Sequence, residues 1–210
     1  TSCCPAWSVM AKKLFPEQAN SISMALTPMT LTARLIKHHQ PGAKVAFIGP
    51  CAAKKLEAMR RTVRSEVDFV LTFEEMAGIF EARHIDVNTL KEDPHGVNDA
   101  SADGRNFAVS GGVAQAVVNV IKEKYPDREI KVANAEGLSE CRKLMMMAKA
   151  GKYNGYLLEG MACPGGCVAG AGTMQSIKKS SVAVNMYAKQ AEHQVATGTH
   201  HVAELDKLVD

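Results

Sequence analysis

Four short apolar runs separate stretches whose apolar positions recur with a helical period. Residues 44–48 (KVAFI) and 67–71 (VDFVL) read as strands, and residues 130–133 and 156–158 are two weaker strand candidates. Thr27 is a good N-cap with Pro28 at the first helical position, which predicts a helix over 29–37 that stops at Pro41-Gly42. Residues 52–61 read as a second helix. Thr72 and Glu75 have the spacing of a capping box and predict a third, running to about Arg83. The polar stretch 84–104, with Asp93-Pro94 and Asp103-Gly104, reads as a loop, and 107–109 as a short strand. Ser110-Gly111-Gly112 opens a helix with Val113, Val117, Val120 and Ile121 on its apolar side; residues 138–149 form the next. The last stretch, 182–210, is helical and amphipathic with a break near 197–199. Strand–helix alternation of this kind predicts an α/β fold, a mainly parallel sheet flanked by helices.

Length and charge narrow the function. The 210 residues suit one large domain, or one and a half. Twenty-five Lys+Arg against twenty-two Asp+Glu leave only +3, too balanced for binding nucleic acid by counterion release. One Trp, four Tyr and six Phe are also too few for base-stacking platforms. The longest uncharged run, between Glu159 and Lys178, is rich in Gly, Ala, Ser and Thr rather than Leu and Ile, so no membrane span is expected. The six cysteines change the picture more. A disulfide-stapled secreted scaffold is normally smaller and poorer in hydrophobics, so these thiols point to metal or catalytic chemistry in a reducing compartment, the cytoplasm.

The cysteines are not equivalent. Side chains of neighbours on an extended segment point to opposite sides, so Cys3-Cys4 reads as one ligand plus one thiol with another task, or as two small buried hydrophobes. Cys51 follows a strand end, where sites gather in α/β sheets, and Lys54 close behind it would stabilise an anion. Cys163-Pro164-Gly165-Gly166-Cys167, followed by Gly170 and Gly172, puts bare backbone beside sulfur. That gives room for an inorganic core and N–H groups to aim at its sulfides, and the spacing is poorer for zinc. Cys141 shares a helix face with Leu138, Met145 and Ala148 and reads as core. Without it and one of the vicinal pair, four thiolates remain, enough for one 4Fe–4S cluster.

Thr1-Ser2-Cys3-Cys4-Pro5-Ala6-Trp7, residues 50–57 (PCAAKKLE) and residues 159–172 together resemble, in order, the three signatures of the FeFe (iron-only) hydrogenase large subunit. The resemblance covers nearly the whole of 1–210. It implies a two-lobed α/β catalytic domain, of which this chain would be the C-terminal portion: one lobe plus part of another. It also implies an H-cluster, a 4Fe–4S cluster bridged to a diiron unit with CO, cyanide and dithiolate-amine ligands. Cys4, Cys51, Cys163 and Cys167 would be the cluster ligands, with Cys167 bridging. Cys3 would exchange protons with the amine, and Lys54 would hydrogen-bond a cyanide. Ser23 falls where a proton-path hydroxyl is sought and Glu57 where a partner for a basic side chain is, and Met161 would line the diiron pocket.

Four positions depart from the family's best-known members, namely Met29, Gly49, Ala171 and Thr173, which suggests a divergent subgroup. The intact first motif is expected to set the chain apart from the prelamin-recognition-like relatives that serve in cytosolic iron–sulfur assembly. The resemblance places part of the first lobe upstream of the TSCCP motif, so the expected partners are that N-terminal part and ferredoxin or a similar electron carrier. The expected function is interconversion of hydrogen with protons and electrons, with no activity from the isolated piece. The alternatives are a hydrogen-sensing or electron-relay module, or a metal-free lobe that docks to another subunit.

Overall fold

The structure, a computed structural model, describes residues 1–63, 65–91 and 99–205. Residues 1–4 are extended and lead into α1 (Pro5–Leu14), to which the sequence pattern assigned no element. Pro5 opens this helix where a missing N–H costs nothing. Trp7 and Ala11, one turn apart, face inward. A 3₁₀ segment (Pro16–Ser21) follows, then α2 (Pro28–His39), where the Thr27 hydroxyl accepts the Thr30 N–H as the cap reading requires.

Two βαβ units follow. The first is β1 (Ala46–Ile48), α3 (Ala53–Met59) and β2 (Phe69–Leu71), with the strands parallel and Ala46 opposite Phe69. The second is β3 (Lys131–Glu136), α7 (Leu138–Lys149) and β4 (Tyr156–Met161), parallel with Lys131 opposite Tyr156. Parallel pairing is thus as expected, but the described strands form two two-stranded sheets instead of one. One face of the β1–β2 pair is half-bare: Ile48 of β1 is 45% and Phe69 of β2 59% exposed. The described residues cover that face only in part, whereas parallel sheets are normally covered on both.

Between the units, α4 (Phe73–Ala82) starts at the predicted capping box, with both reciprocal bonds of Thr72 and Glu75 present. The expected loop over 84–104 contains a 3₁₀ turn (Val87–Thr89) and ends in α5 (Ala102–Asn106). Residues 92–98 of that loop lie outside the described residues. Asp103-Gly104 reads locally as a turn, yet Ser101 caps α5 and the helix packs on α8, so tertiary contact overrides propensity. Residues 107–109 make no strand. Their backbone turns instead, with Val109 N–H on Asn106 O, and the Ala108 carbonyl accepts Val168 N–H. Helix α6 (Gly112–Lys124) buries Val113, Ala114, Ala116 and Val118, a stripe rotated from the predicted one, whose Val117, Val120 and Ile121 are only half-buried. Helix α8 (Ile177–Lys189) starts at the Ser176 cap, ahead of the expected start at 182. A 3₁₀ turn (Ala196–Gly198) and α9 (Val202–Leu205) complete the described chain, and the expected helix beyond 205 lies outside it.

The principal core joins Trp7, Ala11, Phe15 and Ile22 to Cys141 and Met145, and so locks α1 against α7. Cys141 is fully buried, the core residue its helix spacing indicated.

Candidate metal centre

Each predicted ligand cysteine owes its place to a different local device. Cys4 is the N-cap of α1, just before the turn that Pro5 opens. The segment before it is tied down: Thr1 N donates to Leu158 O at 2.7 Å, and Trp7 Nε1 to Thr1 O at 3.1 Å. Trp7 in turn lies on Gly160, where a Cβ would come within 2.4 Å of the ring. Cys51 follows β1 directly, and its carbonyl accepts the Lys54 N–H as the chain turns into α3.

Cys163 and Cys167 flank a loop that only glycine can make. Gly165 and Gly166 sit at φ +91° and +94°, and a Cβ on Gly166 would lie 2.6 Å from Ser110 N and 2.8 Å from Ala108 O. Further on, a Cβ on Gly170 would meet Pro50 O at 2.2 Å, and Gly172 N donates to that same oxygen at 2.9 Å. This interlock brings the third cysteine motif against the second, although they leave different sheets. The expectation that glycine N–H groups point at cluster sulfides is not met at any of the four, Gly172 N–H being taken by Pro50 O as above. Gly165 N–H bonds Glu136 Oε2, Gly166 N–H bonds Cys163 O and Gly170 N–H bonds Cys167 O. Glycine serves here through close approach.

The candidate ligand thiols are near enough to couple electrostatically. Burial first, then the charges of Cys51 and Cys4, push the Cys163 and Cys167 thiols up, Cys167 to about 12. Yet among the described residues no three cysteine sulfurs lie within 4.8 Å of one another. A single tetrahedral zinc needs neighbouring sulfurs roughly 3.8 Å apart, given Zn–S bonds of about 2.3 Å. A four-iron core places several atoms between its ligands and makes no such demand, and cluster iron would reverse the mutual repulsion of the thiolates. Four thiolate donors suit the chemistry of an iron–sulfur cluster, and Cys4, Cys51, Cys163 and Cys167 are the residues that would hold one.

Beside it lies a cavity of about 480 Å³, on whose wall Cys3, Cys167 and Lys54 meet. Lys54 is buried, with Nζ 2.7 Å from Glu57 Oε2 and 3.4 Å from Cys3 O. One of its three N–H donors remains for a group in the cavity. Cys3 is pushed up to about 11 by burial, then by Glu159 and Cys4, with Lys54 opposing. Three of the four divergent positions, Met29, Gly49 and Thr173, are also on this wall. A Cβ on Gly49 would lie 2.8 Å from the Phe47 ring, so Phe47 fills the space a longer side chain at 49 would enter.

Not every candidate reaches the cavity. Met161 is buried, but its side chain is not on that wall; its carbonyl accepts Gly137 N–H at 2.8 Å. Ser23 is exposed, and its Oγ accepts Ala25 N–H at 3.2 Å. Glu57 reaches the site only through Lys54. Sequence reasoning missed Glu159. It is fully buried, and its carboxylate accepts Gly111 N–H at 2.8 Å and Ala114 N–H at 2.6 Å, anchoring the start of α6 beside the site. Only the Gly-Gly before α6, a helix start without a capping side chain, hinted that an acceptor must come from elsewhere.

An α/β scaffold whose second and third cysteine motifs interlock at Pro50 and Gly170 has the donor chemistry of a metalloprotein, and the comparisons give its family. The family model described as "Iron only hydrogenase large subunit, C-terminal domain" matches residues 1–171, and the chain belongs to that family. It is 30% identical to the periplasmic [Fe] hydrogenase large subunit of Nitratidesulfovibrio vulgaris over 82% of this chain and 50% of the relative. It is also 24% identical to the nuclear prelamin A recognition factor of Xenopus laevis, over 84% of this chain and 48% of that protein. Hydrogenases and prelamin-recognition proteins are therefore both among the chain's relatives. A solved [FeFe]-hydrogenase structure shares the fold, with a TM-score of 0.76 at 22% identity over 98% of this chain and 69% of that one. The chain spans about half the length of the curated relatives it matches. No described helix is long and apolar enough to cross a membrane.

Proposed function

We propose that this chain is the part of an FeFe hydrogenase catalytic domain that supplies all four H-cluster cysteines and one wall of the diiron pocket. One observation carries the reading: Cys3 and Lys54 meet on the wall of the 480 Å³ cavity next to Cys167. A protein that only stores or relays a 4Fe–4S cluster has no use for a buried cation and a second thiol in an adjoining void. When bound, the H-cluster supplies the redox iron and basic amine at which hydrogen and protons plus electrons interconvert. Cys3, with its thiol raised to about 11, holds its proton at neutral pH and presents it to the cavity. Lys54, fixed by Glu57, offers an N–H to an anionic ligand there.

The half-bare face of the β1–β2 sheet is where a complementary part of the domain, in this chain or another, would pack. Ferredoxin or a similar carrier is the proposed electron partner, and a reducing cytoplasm the proposed setting for free thiols. A second reading, a hydrogen sensor or slow relay, is favoured by Met29, Gly49 and Thr173, because the divergent residues line the pocket itself.

The test uses the full-length protein matured with its diiron unit. Cys3→Ala should keep iron content and cluster infrared bands yet lose hydrogen evolution about 10²–10⁴-fold, the usual worth of acid–base help. Cys4→Ala should instead deplete iron. A Cys3→Ala variant with an intact cluster and near-parental turnover would remove the assigned role. A parent that turns over slowly but changes its cluster bands with hydrogen would favour the sensor.

A further inference from the structure

Three metal-ligating side chains meet where the end of the described chain folds back onto residue 99. One ligand atom each from Asp99, His200 and His201 lies within 4.8 Å of the other two, and no other group of three or more His, Cys, Asp or Glu among the described residues does so. Asp99 Oδ2 is 3.2 Å from His201 Nε2. The rings of His200 and His201 are 3.9 Å apart between centroids, tilted by 42°. Bonds of about 2.0–2.2 Å to zinc set neighbouring N and O ligands of a tetrahedral ion roughly 3.3–3.6 Å apart. Small side-chain rotations reach that spacing.

A second observation is independent of this proximity. The other ring nitrogen of His201, Nδ1, is buried and has no hydrogen-bond partner. It faces Glu204 Oε2 at 3.8 Å, and that carboxylate is held 3.1 Å from His39 Nε2 on α2. A carboxylate behind the far nitrogen is the arrangement that orients a metal-bound imidazole and sets its tautomer.

We propose that Asp99, His200 and His201 bind a late first-row divalent cation of the zinc class, with Glu204 as the residue that positions His201. Imidazole with carboxylate suits such ions, and three protein ligands leave a place for water. The ion ties residues 200–204 to residue 99 and, through Glu204 and His39, to the end of α2. Nothing in this depends on the hydrogenase reading.

The experiment titrates Co²⁺ and Zn²⁺ into the full chain and into the His200→Ala/His201→Ala variant, with His84→Asn, an exposed histidine elsewhere, as the control. Circular dichroism checks that each variant folds. The cluster thiols can also take these metals, so the cobalt spectrum is the deciding readout: thiolate ligands give intense charge-transfer absorption, and a nitrogen–oxygen site does not. The expected result is one cobalt equivalent without thiolate charge transfer in the parent and in His84→Asn, absent from the double variant. The single variant His200→Gln should weaken it, and Glu204→Gln should lower its affinity roughly 10–100-fold. Equal uptake with the same spectrum in parent and double variant, or only thiolate-bound cobalt in the parent, would overturn the proposal.

Discussion

Replacing Gly166 by alanine probes the interlock that brings the third cysteine motif against the rest of the site. Gly166 has φ 94° and ψ −159°, a backbone region open in practice only to glycine, so any side chain there costs about 1–3 kcal/mol. The new Cβ would also stand 2.6 Å from Ser110 N, 2.8 Å from Ala108 O and 2.9 Å from Val109 C. These are backbone atoms, and they cannot swing aside as a long side chain can. Overpacking of that kind adds about 1–3 kcal/mol. The sum, about 2–6 kcal/mol, is a large share of the ~5–15 kcal/mol that holds a domain folded. Two other glycines separate the contributions. Gly155 also has positive φ, at 79°, but nothing lies within 4 Å of its Cβ position, so Gly155→Ala should cost only about 1–2 kcal/mol. Gly78 lies inside α4 with an open Cβ position and no positive φ, so Gly78→Ala should stabilise by about 0.5–1 kcal/mol. Urea denaturation of the three variants gives the order, and iron content after cluster reconstitution gives the consequence, with Gly166→Ala alone depleted. If Gly166→Ala unfolds no more readily than Gly155→Ala and retains its iron, the proposed interlock does not hold the two ligand loops together.

Two further outcomes follow from single side chains. Cys141 is buried, its thiol pushed up to about 11 chiefly by burial, and its Sγ bonds Ala135 O and Met161 O. It should resist iodoacetamide until the chain unfolds, and Cys141→Ser should leave iron content unchanged; prompt labelling of the folded chain would contradict the core assignment. Asp68 accepts Val45 N–H at 2.8 Å and pairs with Lys37 at 2.9 Å and Lys44 at 3.1 Å, which together hold its carboxyl well below the usual range. A depressed carboxylate stabilises above its unfolded pKa of about 3.9 and loses that contribution as pH falls towards its folded value. Asp68→Asn should therefore unfold more readily than the parent at pH 5–8, with the gap narrowing only below about pH 4. A gap already closing near pH 6 would show that another group is responsible.

How much of this was legible beforehand depended on whether the cause was local. The caps at Thr27 and Thr72 act within a single turn, so their residues announce the helix starts. The three cysteine motifs carry the family because cluster chemistry demands those residue types at those spacings. The intrinsic pattern also sufficed for Cys141, whose helix spacing faced it to the core. What failed was decided across the chain. Helix α5 forms over an Asp-Gly because α8 packs on it, and residues 107–109 give up a strand because their backbone serves the glycine loop. Glu159 gained its role from two N–H groups more than forty residues earlier, which no local pattern could reveal. The same holds for Ser23 and Met161, which stand off the cavity wall, and for Met29, Gly49 and Thr173, which line it. Sequence alone determined which residues could hold a cluster, because ligand chemistry is a property of side chains. Only the tertiary structure decided which thiol faces the void and which cation stands beside it, because close approach between distant backbone segments sets those positions.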